Sequence, residues 1–256
     1  MSARRRELRP MGPPAASWTS KNPGEPIVLT GQGAMVFPDR GLAMVADLHL
    51  GKTQTFRHHG LAIPEGSDEE TLEKLETLLK AWPVQQLVVL GDLIHHSSSL
   101  DRHGRLLEKL RRFRSRWPDL AFHLVLGNHD RALGPGHNRP QAEELVAALD
   151  LKRHPETFVQ QGIRGYHDPS EQAGLDTLNP EDPQGESEPW QVCGHLHPTV
   201  RLQLGRGHWQ RIPCFTRLGR QWMLPAFGAF TGSFTIEPNN YDEIVGLVEG
   251  QLLAFV

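Results

Sequence analysis

Gln86-Leu87-Val88-Val89-Leu90-Gly91-Asp92-Leu93-Ile94-His95 decides the fold. Leu87–Leu90 is an unbroken apolar run with no polar alternation. A strand that alternates has one wet face, whereas one that does not is covered on both. The same design recurs on either side. A strand over Gly41–Ala46 runs into Asp47-Leu48-His49, and one over Ala121–Leu126 runs into Gly127-Asn128-His129-Asp130. Helical spacing fills the gaps. Ser67-Asp68-Glu69-Glu70 reads as a capping box ahead of Leu72, Leu75, Leu78 and Leu79. Leu106, Leu107, Leu110, Phe113 and Trp117 form a second stripe, and Pro140 suits the first turn of a third helix through Ala148. Apolar strands joined by helices predict a parallel sheet with covered faces.

Outward from this core the chain turns to β structure. Strands are expected upstream at Ile27–Thr30 and Ala34–Phe37. Downstream they are expected at Thr157–Val159, Ile163–Tyr166, Trp190–Cys193, Val200–Leu204, Trp209–Ile212, Gln221–Leu224, Glu243–Val248 and Leu252–Phe255. The downstream strands look antiparallel and form or extend a second sheet. The expected class is α/β in layers, a two-sheet β-sandwich flanked by helices. Residues 1–25, rich in Pro, Ser and Arg, read as a disordered basic arm, and ordered structure is expected from Pro26. Residues 26–256 read as one domain. Within it, 168–189 carries seven acidic residues and no Lys or Arg, which reads as a flexible acidic loop.

Composition narrows the function. At 256 residues the chain buries enough surface to need no covalent staple. A net charge of −3 excludes a globally basic nucleic-acid binder. Cys193 and Cys214 are too few for a disulfide scaffold or a four-cysteine zinc site, and they suit a reducing compartment with both thiols packed in strands. No apolar run approaches the ~18 residues of a membrane span. The basic N-terminus lacks the apolar segment of a secretory signal, so the expected location is cytoplasmic. A nucleophile elbow and a P-loop are both absent.

Three apolar strands thus end in Asp47 and His49, in Asp92 and His95, and in Asn128, His129 and Asp130. The carboxyl ends of parallel strands are where α/β sheets form their sites. Two later strands add His167-Asp168 and Gly194-His195-Leu196-His197. In extended chain, residues two apart point the same way, so Asp47 with His49, and His195 with His197, can grip one ion. Glycines before Asp92, Asn128 and His195 let the backbone turn as each strand ends. Mixed imidazole, carboxylate and amide donors suit borderline or hard divalent ions. Asp130 reads as a brace for its own turn, and His154, in Lys152-Arg153-His154-Pro155, reads as surface.

This series, D-x-H, GD, GNHD, H and GHLH from Ile27 to Gly232, resembles the calcineurin-like binuclear metallophosphoesterases. The resemblance implies one metal held by Asp47, His49, Asp92 and His197. A second would be held by Asp92, Asn128, His167 and His195, with Asp92 as bridge. Mn2+ is the first expectation, with Fe or Zn as alternatives. Two ions ~3.5–4 Å apart clamp a phosphoryl group for in-line displacement. His129 would then stabilise charge or protonate the leaving oxygen.

Finer details resemble one subgroup, the bacterial ligase-associated endonucleases of the DNA damage response. They are Ala46-Asp47-Leu48-His49-Leu50-Gly51-Lys52, then Arg57, Gly60 and Pro64-Glu65-Gly66, and Leu224 to Gly232. His95 resembles the DNA-repair nuclease branch. The resemblance implies a Mn2+-dependent DNA endonuclease acting on single-stranded or nicked DNA, beside a DNA ligase, a helicase and an exonuclease. Lys52, Arg57 and His95 are candidate substrate contacts. The basic helix from Arg102 to Arg116 reads as a solvated face. The alternatives are a phosphomonoesterase or small-nucleotide phosphodiesterase on the same site, and a non-catalytic scaffold. Oligomeric state is left open.

Overall fold

The computed structural model describes residues 15–20, 26–53, 66–96, 105–137, 139–170, 189–205, 208–229 and 231–255. Two mixed sheets face each other. The first holds β1 (Ser17–Thr19), β2 (Val28–Thr30), β3 (Met35–Phe37), β4 (Leu42–Val45), β5 (Gln86–Leu90), β6 (Ala121–Val125) and β7 (Leu151–His154), in that order. Neighbours from β1 to β4 are antiparallel, and those from β4 to β7 are parallel. The parallel strands are joined by α1 (Ser67–Ala81), α2 (Arg105–Arg116) and α3 (Pro140–Leu149).

The second sheet is built from β8 (Thr157–Gln160), β9 (Ile163–Tyr166), β10 (Trp190–Cys193), β11 (Pro198–Gly205), β12 (His208–Leu218), β13 (Gln221–Met223), β14 (Phe234–Thr235), β15 (Glu243–Val248) and β16 (Gln251–Phe255). Its order is β14-β11-β12-β13-β10-β9-β8, with β15 on the other edge of β12 and β16 on β15. Its centre is not antiparallel as the sequence suggests. β9, β10 and β13 run parallel, because the β11–β12 excursion returns the chain before β13 starts. Alternation reveals which faces are buried, not strand direction.

The bare strands are explained by packing on both sides. Leu87 and Val89 of β5 meet Leu72, Leu75, Leu78 and Leu110 of the helices. Val88 and Leu90 face the other way, into a core between the sheets with Met44, Phe215 and Trp222. Burying each such large side chain contributes on the order of 2–3 kcal/mol. Among the described residues, helices cover only the outer face of the first sheet.

Several local expectations need correction. β1 lies within the stretch assigned to a loose arm: Ser17–Thr19 pairs with Val28–Thr30, and Trp18 meets Trp222 edge-on at 6.2 Å. The rest of that arm, and the acidic segment beyond Ser170, lie outside the described residues. The capping box does not form. Gly66 is the N-cap (φ 113°), and Ser67 Oγ bonds Thr53 Oγ1 at 3.2 Å. Asp68 instead accepts the Gly51 N–H at 2.8 Å, tying α1 to the segment that follows His49.

His154 is not a simple surface group. Its ring stacks on His123 at 5.2 Å, with Phe158 edge-on to both. Burial, then His154 and Lys152, push His123 down to about 4, and burial lowers His154 as well. A His pKa lowered by folding means that the unfolded chain binds more protons below its own pKa of ~6.5. Stability from this pair is therefore full above that pH and is lost as pH falls towards 4. Thermal melts of His123→Phe should lose less stability than wild type between those limits. Equal losses would contradict this.

Candidate metal centre

Five strand ends converge where the two sheets meet. β4 delivers Asp47 and His49, β5 delivers Asp92, and β6 delivers Asn128 and His129. β9 and β10 of the second sheet supply His167, His195 and His197. Single parallel bridges, Ala46 to Ala226 and Leu50 to Ile94, fasten the chain around them.

The residues do not sit on extended chain. Asp47, His49, Asp92, His195 and His197 have φ between 48° and 71°, and they are five of eight non-glycine residues with positive φ among those described. Left-handed backbone costs such residues of order 1–3 kcal/mol each, and it clusters at functional sites. So Asp47 and His49 do meet His197, with ligand atoms within 4.8 Å of one another, but by alternating left-handed turns rather than by strand alternation.

The glycines also act differently from expectation. Gly91 does turn, with φ 78°, but a Cβ there would also lie 2.0 Å from His167 Nδ1. Gly127 and Gly194 have no positive φ. They are small because Asp92 Oδ1 and Asp47 Oδ2 approach to 2.2 and 2.7 Å of where a Cβ would be.

Asp92 is central and buried. Its Oδ2 lies 3.8 Å from His49 Nε2, 3.6 Å from His167 Nε2 and 4.0 Å from His129 Nε2. Its Oδ1 accepts the His129 N–H at 2.9 Å. Burial raises its pKa, opposed first by His167. Asp47 is fully buried. Its Oδ2 accepts the His195 N–H at 2.9 Å, and its Oδ1 lies 3.3 Å from His197 Nε2.

Ring orientation is set by main-chain carbonyls. His167 Nδ1 is 3.0 Å from the Leu90 oxygen, His197 Nδ1 3.0 Å from the Gly232 oxygen, and His129 Nδ1 2.6 Å from the His95 oxygen. A carbonyl only accepts, so each Nδ1 is the N–H, and each ring points its Nε2 inward. His167 Nε2 lies 3.0 Å from Asn128 Oδ1 and 2.9 Å from His195 Nδ1, and His197 Nε2 lies 3.4 Å from His49 Nε2. Burial, then His197 and Lys52, push His49 down to about 2, so it is neutral. Imidazole nitrogens crowded together with carboxylate and amide oxygens form a donor set that can turn several lone pairs onto one cation. The residues therefore fit divalent metal ions, in two groups: Asp47, His49 and His197; and Asp92, His167 and His195. Burial pushes His197 down, but Asp47 outweighs it and holds the ring above its ordinary value. A proton there competes with a cation for the same place.

A third cluster joins His49, His95 and His129. His95 stacks on His129 at 5.3 Å and meets His49 edge-on at 5.6 Å. Lys52 is near enough to lower both His49 and His95. Lys52 and His95 thus border the centre, while Arg57 lies outside the described residues. Asp168 lies 3.7 Å from His195 Nε2. The carbonyls of Leu90, His95 and Gly232 carry no sequence signal, because any residue type supplies them.

Asp130 braces its turn as expected. It is fully buried and accepts N–H groups from Gly127 (3.1 Å), Leu93 (3.3 Å) and Ile94 (3.3 Å). Burial, then Asp92, push its carboxyl up to about 7. Asp130→Ala strands these buried donors and should cost roughly 3 kcal/mol or more in urea denaturation. A loss under ~1 kcal/mol would refute the brace.

The basic helix is a neutralised surface. Lys109 pairs with Glu69, Arg111 with Glu144, Arg114 with Asp150 and Arg116 with Glu76.

The family model for calcineurin-like phosphoesterases matches residues 42–217. No curated protein matches the chain. Among solved structures, the nuclease MPE of Pseudomonas putida is similar, with 27% identity and a TM-score of 0.68 over 93% of this chain and 99% of that one.

Proposed function

Because the chain belongs to the calcineurin-like phosphoesterase family, whose members hydrolyse phosphoesters at a binuclear divalent metal site, we propose that it is a Mn2+-dependent DNA endonuclease. The observation that carries this is the convergence of five strand ends on Asp92, with the ring Nε2 atoms of His167 and His197 aimed inward. The similarity to a nuclease across nearly the whole of both chains supports DNA as substrate.

In this reading Asp47, His49, Asp92 and His197 hold one ion. Asp92, Asn128, His167 and His195 hold the other. Nitrogen mixed with hard oxygen donors favours Mn2+, with Fe or Zn next. When bound, the ions supply a Lewis acid that polarises the phosphoryl group and lowers the pKa of water. The chain's own groups do the rest. The Asp47 and Asp92 carboxylates are locked by main-chain N–H donors, so they need not reorganise during reaction. His129, fixed by the His95 carbonyl, presents Nε2 to the centre, where in its protonated form it donates to the departing oxygen. Lys52 and His95 flank that path and contact the neighbouring phosphates, with Arg57 as a further candidate. Acting on single-stranded or nicked DNA, the enzyme would serve repair beside a DNA ligase, a helicase and an exonuclease.

The test is cleavage of circular DNA, single-stranded and duplex, with added Mn2+. Chromogenic diester and monoester substrates run in parallel. Nicking or linearisation with diester preference is expected. Hydrolysis of the monoester alone, with every DNA circle intact, would overturn the nuclease reading in favour of a phosphomonoesterase.

A further inference from the structure

From Trp190 to Ile236 the chain carries five arginines and no Asp, Glu or Lys, directly after its most acidic stretch. Two of those arginines face each other. The β11–β12 register sets Arg201 opposite Arg211, and Gln203 opposite Trp209. Like charges directly opposite destabilise a ladder. Both arginines are exposed, and among the described residues no carboxylate pairs with either. Arg201 instead lies over the Trp209 ring at 5.3 Å, and Trp209 is 48% exposed.

The fold aims this face. β12 runs antiparallel to β13, whose carboxyl end lies at the metal centre, so its early residues overhang that end. Successive residues of a strand alternate faces. Phe215 of β12 packs in the core between the sheets. Pro213, Arg211 and Trp209 therefore continue the face turned towards the first sheet. The register adds Thr199, Arg201 and Gln203 to it, while Val200 and Ile212 pack on the reverse side. β11 itself begins immediately after His197. Arg201 is then roughly 10 Å along the strand from Pro198.

We propose that this β11–β12 ribbon is a platform for the unpaired DNA strand next to the scissile phosphate, with Arg201 and Arg211 on its phosphates and Trp209 stacked on a base. The inference rests on the nuclease reading and assigns the surface that holds its single-stranded substrate. Paired arginines unneutralised by acids match two phosphates in succession. An exposed indole offers a stacking surface that only an unpaired base can use, since duplex bases already stack on each other.

The experiment uses the full chain in chelator, so that binding is read without cleavage, with a labelled oligodeoxythymidine and a duplex of equal length. By anisotropy, Trp209→Ala should weaken single-strand binding on the order of tenfold, and Trp209→Phe should recover most of it. The double variant Arg201→Gln/Arg211→Gln should flatten the plot of log affinity against log salt by about 1.4. All variants should hydrolyse bis(p-nitrophenyl) phosphate with added Mn2+ at the wild-type rate, because that substrate is too small to reach the ribbon. Variants that bind the oligonucleotide as wild type does would overturn the platform alone. Equal losses on duplex would overturn the single-strand assignment, and a parallel fall in small-diester hydrolysis would assign the ribbon a structural role instead. A wild-type protein that hydrolyses the small diester yet neither binds nor cuts DNA would sink the nuclease reading itself.

Discussion

Asp92→Asn should reduce phosphodiester hydrolysis by ~10^3-fold or more while leaving the fold intact, which corresponds to about 4 kcal/mol of lost transition-state stabilisation. The amide keeps an oxygen for the His129 N–H, now 2.9 Å from Oδ1. It removes the negative charge from Oδ2, the atom between His49 Nε2 and His167 Nε2. A carboxylate has two charged oxygens and can serve two ions at once, and neither an amide nor an imidazole can replace it. In metal-free protein the same change should be neutral or stabilising, because burial already raises the Asp92 carboxyl and its charge is costly there. Activity, metal content and the melting temperature of chelated protein check this together. Full activity in the variant would remove Asp92 from the chemistry. A collapse of the metal-free fold would make its role structural.

Gly228→Ala should be strongly destabilising and should disturb the metal centre as well. A Cβ at Gly228 would lie 2.0 Å from the Leu48 carbonyl oxygen and 2.7 Å from its carbon. These are backbone atoms, so no rotamer change relieves the clash. Gly228 N–H also donates to the Asp47 oxygen, and Phe227 N–H to the Ala46 oxygen. Either the segment after β13 retreats, drawing the Gly232 carbonyl off His197 Nδ1, or the Asp47–His49 turn shifts. Overpacking of this severity costs roughly 3 kcal/mol or more. At this chain length that lowers the melting temperature by about 6–12 °C. Loss of ring orientation should also weaken metal affinity by about tenfold or more. Gly232→Ala is the control, since no atom lies within 4 Å of its Cβ position and its φ is not positive. Equal behaviour of the two variants would rule out the backbone clash as the cause.

The parts of the fold visible in the sequence are those where burial dictates residue type. Gln86–Leu90, Ile163–Tyr166, Trp190–Cys193 and Glu243–Val248 stand where their apolar patterns place them. The strands that escape detection are short edges. Ser17–Thr19 and Phe234–Thr235 contribute two or three residues each, and Leu151–His154 has a single buried side chain, Leu151. Their identity comes from pairing, which leaves little mark on composition. The site is more legible than the fold, because Asp, Asn and His placed straight after apolar runs have few structural uses. What escapes is how they are held. Left-handed turns at Asp47 and His195, close approaches at Gly127 and Gly194, and the carbonyls that orient three rings are backbone geometry. The two strands of the ribbon are legible but its face is not, since Arg201, Arg211 and Trp209 come together only through the β11–β12 register.

The most direct measurement is an anomalous-scattering map from crystals of the protein grown with Mn2+. Two peaks ~3.5–4 Å apart are expected, on either side of the Asp92 carboxylate. One should lie against Asp47, His49 and His197, and the other against Asn128, His167 and His195. A single peak, or density only at the His49, His95 and His129 cluster, would contradict this arrangement.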